Sequence, residues 1–115
     1  MHELSIALSI LEGVAEEADR QGGARVHVIH LRLGPLSGVV KEALNFSFEL
    51  AREGTPFEKS ALVIEEIPIT IFCPTCQTER GAVSIQRLCC SVCDTPSSGI
   101  VHGNELEISS LEIDA

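Results

Sequence analysis

The residues with the strongest chemical signature are four cysteines in two tight pairs. Cys73-Pro-Thr-Cys76 is followed, after thirteen residues, by Cys90-Ser-Val-Cys93. A Cys-x-x-Cys turn aims both thiolates at one centre, and two such turns complete a tetrahedron. Zn(II) has no ligand-field preference and accepts four thiolates at ~2.3 Å. Four protein ligands leave no open position, so the spacing predicts a structural zinc site at Cys73, Cys76, Cys90 and Cys93, not a hydrolytic centre. The alternatives are redox or iron–sulfur use. A thioredoxin-like pair, however, needs only one such turn, set between a strand and a long helix. Cys89 could replace Cys90, but three residues then separate it from Cys93 and the turn fits less well. It is read as a half-buried free thiol.

The second chemical signal is the N-terminus, Met1-His2-Glu3. A free amine at Met1, the amide nitrogen of His2 and its imidazole Nδ1 form two fused chelate rings. That donor set is nearly planar and all nitrogen, which suits Ni(II) or Cu(II) and not zinc. The fourth position is open to Glu3, to another histidine or to a partner's ligand. The amide must lose its proton, so binding strengthens as pH rises. The bland alternative is a surface histidine beside an initiator methionine. His27 and His30 read as sheet-surface residues. His102 follows the cysteine module and either approaches the N-terminus or is solvated.

These residues need elements to hold them. Residues 4–21 predict an amphipathic helix, with Leu4, Ala7, Leu8, Leu11, Ala15 and Ala18 as its apolar stripe and Gly22-Gly23 as its stop. Residues 25–33 predict a strand ended by Gly34-Pro35. A second helix is expected over 39–53, with Ser37 as N-cap and Val40, Ala43, Leu44, Phe48 and Ala51 buried. Residues 61–66 and 69–72 read as extended, interrupted at Pro68. The last strand, 105–113, carries Leu106, Ile108, Leu111 and Ile113 with a slip that suggests a bulge. That strand has little core of its own, so it is expected to return to the sheet of 25–33 and 61–66. The order predicts a small α/β (α+β) domain of two helices and a three-stranded sheet, residues 1–69 plus 100–115. The cysteine module, 70–99, is inserted as a zinc-ribbon-like domain of two Cys-x-x-Cys knuckles.

Composition narrows the function. The chain has 115 residues, is 44% hydrophobic and 22% charged, and carries a net charge of −9. That balance predicts a folded domain and opposes nucleic acid or an anionic membrane surface as partner. No apolar run approaches the ~18–20 residues of a bilayer span, and the first residues do not resemble a signal peptide. A cytoplasmic protein with reduced thiols is expected. Trp and Tyr are absent and Phe occurs four times, which leaves little for base stacking. No Ser/His/Asp set, phosphate loop or paired carboxylates is evident, so no enzyme is expected. The competing reading is a zinc-ribbon interaction module without nickel transfer.

Taken together, the motifs resemble the HypA/HybF family of nickel-insertion accessory proteins for nickel–iron hydrogenase. The resemblance rests on Met1-His2-Glu3-Leu4-Ser5, on 31–40 (Leu-Arg-Leu-Gly-Pro-Leu-Ser-Gly-Val-Val), on the two cysteine pairs and on Gly103-Asn-Glu-Leu-Glu-Ile108. It covers essentially the whole chain; Cys89 is outside the pattern. It implies an α/β nickel-binding domain and a zinc domain of two knuckles. It implies Ni(II) as transient cargo, bound through His2 and neighbouring backbone with Glu3 close by, and Zn(II) as a structural ion. It also implies a HypB-type GTPase and the hydrogenase large subunit as partners, urease accessory proteins in some organisms, and a monomer or weak homodimer.

Overall fold

Helix α1 runs from Glu3 to Arg20 in the computed structural model, which describes residues 2–114. It stops where Gly22 and Gly23 both turn left-handed, at φ 78° and 77°, and the Gly23 N–H donates to Ala18 O at 2.9 Å. Strand β1 (Val26–Leu33) follows, then a single 3-10 turn (Pro35–Ser37) and helix α2 (Lys41–Ala51). Strands β2 (Ala61–Glu66), β3 (Thr70–Cys73), β4 (Thr78–Gly81), β5 (Ile100–His102) and β6 (Leu106–Ile113) complete the chain. Two three-stranded sheets form, in the orders β2-β1-β6 and β4-β3-β5.

The chain resolves into two compact units. One comprises residues up to 31, 39–65 and from 107 onward; the other comprises 32–38 and 66–106. In the first, α1 buries Ala7, Ile10, Leu11, Val14 and Ala18, β1 buries Val26, Ile29 and Leu31, and α2 buries Leu44 and Phe48. Ser60 is buried with them and donates to Val26 O at 2.7 Å, so its hydroxyl is satisfied.

Three expectations about this unit are corrected. The buried line of α1 is Glu3, Ala7, Ile10, Leu11, Val14 and Ala18, while Leu4 and Leu8 are exposed. The sequence has apolar residues on two adjacent helical lines, and only one of them is turned inward. Ser37 is not the cap of α2: Val40 is the N-cap, and it makes no side-chain cap bond. Gly38 stands left-handed at φ 79° between them, so Ser37 is separated from the helix it was expected to start. Val40 itself is exposed.

The third correction concerns β6. It does join β1, as expected, but its apolar residues are not core: Leu106, Ile108 and Ile113 are 38%, 38% and 39% exposed. The strand lies at the sheet edge, and an open groove of about 520 Å³ separates Ile108, Leu111 and Ile113 from Val14 and Ala18 of α1.

The second unit is built on less. Ile71, Cys73 and Cys90 are its fully buried cluster, with Ile69, Cys76, Ala82 and Ile100 packed against them. β3 pairs antiparallel with β4 in the register Ile71↔Arg80 and Cys73↔Thr78. Gly103, at φ 127°, offers its carbonyl to the Leu36 N–H at 2.8 Å. Gly34 passes so close that a Cβ there would lie 2.1 Å from that same oxygen. Only glycine fits at residue 34, because backbone, not a movable side chain, stands in the way.

Candidate metal centres

The two Cys-x-x-Cys turns have the same construction. Cys73 ends β3, the Gln77 N–H returns to Cys73 O at 2.7 Å, and Gln77 adopts φ 55°. The Asp94 N–H returns to Cys90 O at 2.8 Å, and Asp94 adopts φ 65°. A left-handed residue after each pair reverses the chain and swings the second thiol toward the first. The four Sγ atoms come together within 4.8 Å of one another. Cys73 and Cys93 are 3.4 Å apart, Cys76 and Cys93 3.7 Å, and Cys76 and Cys90 3.9 Å.

Those separations suit a divalent cation. Four sulfurs at ~2.3 Å in a tetrahedron would stand about 3.8 Å from one another. No disulfide forms; all five cysteines are free, and Cys89, half-buried, stays outside the cluster. The donor set is four soft thiolates, with no imidazole or carboxylate and no open position, which fits structural zinc.

Three of the sulfurs have further polar neighbours. Cys73 Sγ accepts the Cys76 N–H at 3.3 Å, and Cys90 Sγ accepts those of Val92 at 3.3 Å and Cys93 at 3.4 Å. Cys93 Sγ lies 3.1 Å from Thr95 Oγ1, which lies 3.0 Å from Thr75 Oγ1. The Thr95 hydroxyl and its backbone, with help from Cys73, bring the Cys93 thiol down to about 6. Cys76 behaves oppositely. The Arg80 guanidinium pulls its thiol down, but Cys93, desolvation, Cys73 and Cys90 outweigh it, and the thiol is pushed up to about 11. Desolvation raises the Cys90 thiol, yet the Cys93 and Val92 amides hold it below the ordinary range. The Cys93 proton thus leaves easily while that of Cys76 is held by its hydrogen bonds with the other cysteines and by desolvation, a conflict that a bound dication relieves. Thr95 and Arg80 were not visible in the spacing. Arg80 arrives through the β3–β4 register, and no local motif marks it.

At the N-terminus, His2 is the N-cap of α1, exposed, and its carbonyl accepts the Ile6 N–H at 2.9 Å. Glu3 begins the helix on its buried line; its carboxylate oxygen lies 4.0 Å from His2 Nε2. Met1, the third expected nickel ligand, lies outside the described residues. The structure therefore brings His2 and Glu3 side by side, and among the described residues only the four cysteines form a multi-residue metal-ligating group.

The remaining histidines are each held by a carboxylate. His27 Nε2 lies 2.9 Å from Asp114 and His30 Nε2 2.6 Å from Glu112, both cross-strand pairs between β1 and the end of the chain. His102 Nδ1 lies 3.0 Å from Glu105, whose other oxygen accepts the Gly103 N–H at 2.8 Å; that amide holds the carboxyl below its ordinary range.

Comparison with known proteins places these features in context. A family model described as "Hydrogenase/urease nickel incorporation, metallochaperone, hypA" matches residues 1–113. The hydrogenase maturation factor HypA of Chloroflexus aurantiacus is 46% identical over 112 residues, covering 97% of this chain and 98% of that protein. HypA of Roseiflexus sp. is also 46% identical over 112 residues, covering 97% and 91%. Among solved structures, the nickel metallochaperone HypA from Helicobacter pylori aligns with a TM-score of 0.62 at 27% identity, covering 98% of this chain and 97% of that one.

Proposed function

We propose a function from one premise: this chain belongs to the HypA family of nickel-incorporation metallochaperones. Its cargo is Ni(II), taken up at the N-terminus and delivered during maturation of nickel–iron hydrogenase. Zn(II), held by Cys73, Cys76, Cys90 and Cys93, stays in place as a structural ion. The protein moves a metal and catalyses no reaction. It works in the cytoplasm with a HypB-type GTPase and the hydrogenase large subunit. The nickel-binding part is built on the first compact unit, and the zinc-binding stretch, 70–99, sits within the second.

The observation that carries the nickel reading is where α1 starts. His2 gives only its carbonyl to the helix, and the first amides of a helix have no intrahelical acceptor. The His2 amide nitrogen is therefore outside the ladder and can bind metal without breaking a helical hydrogen bond. Deprotonated, it is an anion at the positive end of the helix dipole, which favours it. The Met1 amine, this amide and His2 Nδ1 then supply three nitrogens in one plane, which suits Ni(II). The position of the Glu3 carboxylate, beyond Nε2, supports an outer role: it faces the ring nitrogen that does not bind metal, as carboxylates behind metal-bound histidines do. The acidic surface, −9 overall, raises the local concentration of a dication.

The test is Ni(II) titration of the zinc-loaded, untagged chain by calorimetry. His2→Ala removes the second chelate ring, and nickel binding at micromolar protein should disappear with zinc content unchanged. Residues added before Met1 should weaken binding too, while Glu3→Gln should weaken it less. Parental nickel affinity in His2→Ala would sink the N-terminal site and direct attention to His27, His30 or His102.

A further inference from the structure

The four sulfurs of the cysteine cluster are not supported alike. Cys73 and Cys90, the first of each pair, are 0% and 1% exposed and take their extra donors from backbone amides. Cys76 and Cys93, the second of each pair, are half-buried and exposed. Cys93 Sγ lies 3.1 Å from the Thr95 hydroxyl, and Cys76 packs against the buried cluster of Ile71, Cys73 and Cys90. Arg80 lies opposite Ile71 in the β3–β4 register, so it shares the face of a fully buried residue. Its Nε is buried with no hydrogen-bond partner. Burying part of a guanidinium and leaving a donor unmet is unfavourable unless negative charge lies close by. Four thiolates around one divalent cation leave a net charge of two negatives, and Arg80 is placed to offset one of them.

We propose that Arg80 is a positioning residue of the zinc centre, its partly buried guanidinium holding Cys76 Sγ on the metal. This rests on the reading of the four cysteines as a zinc site. Two properties of the side chain matter. Its charge offsets the excess negative charge of a four-thiolate centre, and its planar fork fixes where a neighbouring sulfur sits. Lysine keeps the first property and loses the second. Metal exchange should then begin at the Cys76–Cys93 edge, because the other two sulfurs are covered and tied to backbone.

The experiment uses the full zinc-loaded chain, with Arg80→Gln and Arg80→Lys beside the parent. Zinc per chain is measured first, then transfer to excess pyridylazoresorcinol, then the order of cysteine alkylation by mass spectrometry. Arg80→Gln should release zinc about 10–100-fold faster, the range for losing an outer partner of a metal ligand. Arg80→Lys should fall between it and the parent. Alkylation should rise at Cys76 and Cys93 ahead of Cys73 and Cys90; a general loosening would raise all four together. Parental release from Arg80→Gln, or uniform alkylation, overturns the role of Arg80. If Arg80→Gln does not load zinc, Arg80→Lys alone decides: faster release supports the role and parental release overturns it. A parent that holds no zinc overturns the zinc reading itself, which is a separate failure.

Discussion

At the scale of single residues, the two kinds of cysteine make opposite demands on a variant. Cys76→Ser removes one of four converging donors, and the chain should lose its zinc. Cys89→Ser changes a thiol outside the cluster, and metal content should stay at about one per chain by elemental analysis, the stoichiometry of a closed four-thiolate site. The reverse pattern would reassign the ligand set. The thiol shifts add a pH dependence with a definite sign. Cys93 titrates near 6, below an ordinary thiol, so above that pH it is already a thiolate and zinc displaces no proton from it. Below about 6 it is protonated, and uptake must release one proton more. A plot of log affinity against pH should therefore steepen by one as pH falls through about 6. Thr95→Val removes the hydroxyl that depresses this thiol, and the break should move to higher pH; a break that stays in place would show that Thr95 does not set it.

At the scale of elements, burial and hydrophobicity part company. Ile29 in β1 is 0% exposed and Ile108 in β6 is 38% exposed, though the two strands lie side by side. Ile29→Ala should cost about 2–5 kcal/mol of unfolding free energy, the range for emptying a packed site. Ile108→Ala should cost about 1 kcal/mol or less, since much of its surface stays wet. Urea denaturation of the two variants checks this, and equal losses would mean that β6 is packed more tightly than its exposure indicates. The same contrast explains what was legible beforehand. The helices, β1, β2 and the return of β6 to the first sheet follow from periodicity and from turn residues close in sequence. The cysteine cluster was legible because a Cys-x-x-Cys turn is a local object. The phase of α1 was not, because Leu4-Leu8 and Ile10-Val14 offer two candidate stripes and only tertiary packing, in which α1 meets α2, chooses between them. The start of α2 was missed because a left-handed Gly38 intervenes. Strands β4 and β5 are short, four and three residues, and β4 (Thr78-Glu-Arg-Gly81) is polar, so they are defined by pairing and not by burial. Arg80 escaped for that reason.

At the scale of the whole molecule, the two units draw their order from different sources. The first has a core spread over two helices and a strand. The second buries five apolar or sulfur side chains, Leu33, Ile67, Ile71, Cys73 and Cys90, and two of those belong to the cysteine cluster. Stripping zinc should therefore release the second unit and spare the first. By hydrogen exchange, amides within 66–106 should speed up by at least about tenfold, while those of α1, α2 and most of β1 keep their protection. Acceleration of equal size in both units would show that zinc holds the entire chain. The units are also interleaved along the chain, which passes between them four times, at 31/32, 38/39, 65/66 and 106/107. That interleaving has a consequence for biosynthesis. During translation, neither unit is complete when the first helices emerge from the ribosome. All residues of the unit that holds the four cysteines are available once residue 106 is clear, whereas the unit that carries His2 still waits for residues 107 onward. A newborn chain can thus bring its four cysteines together before the unit that holds His2 has closed, and on the proposed assignment of the two metals zinc would be seated before nickel.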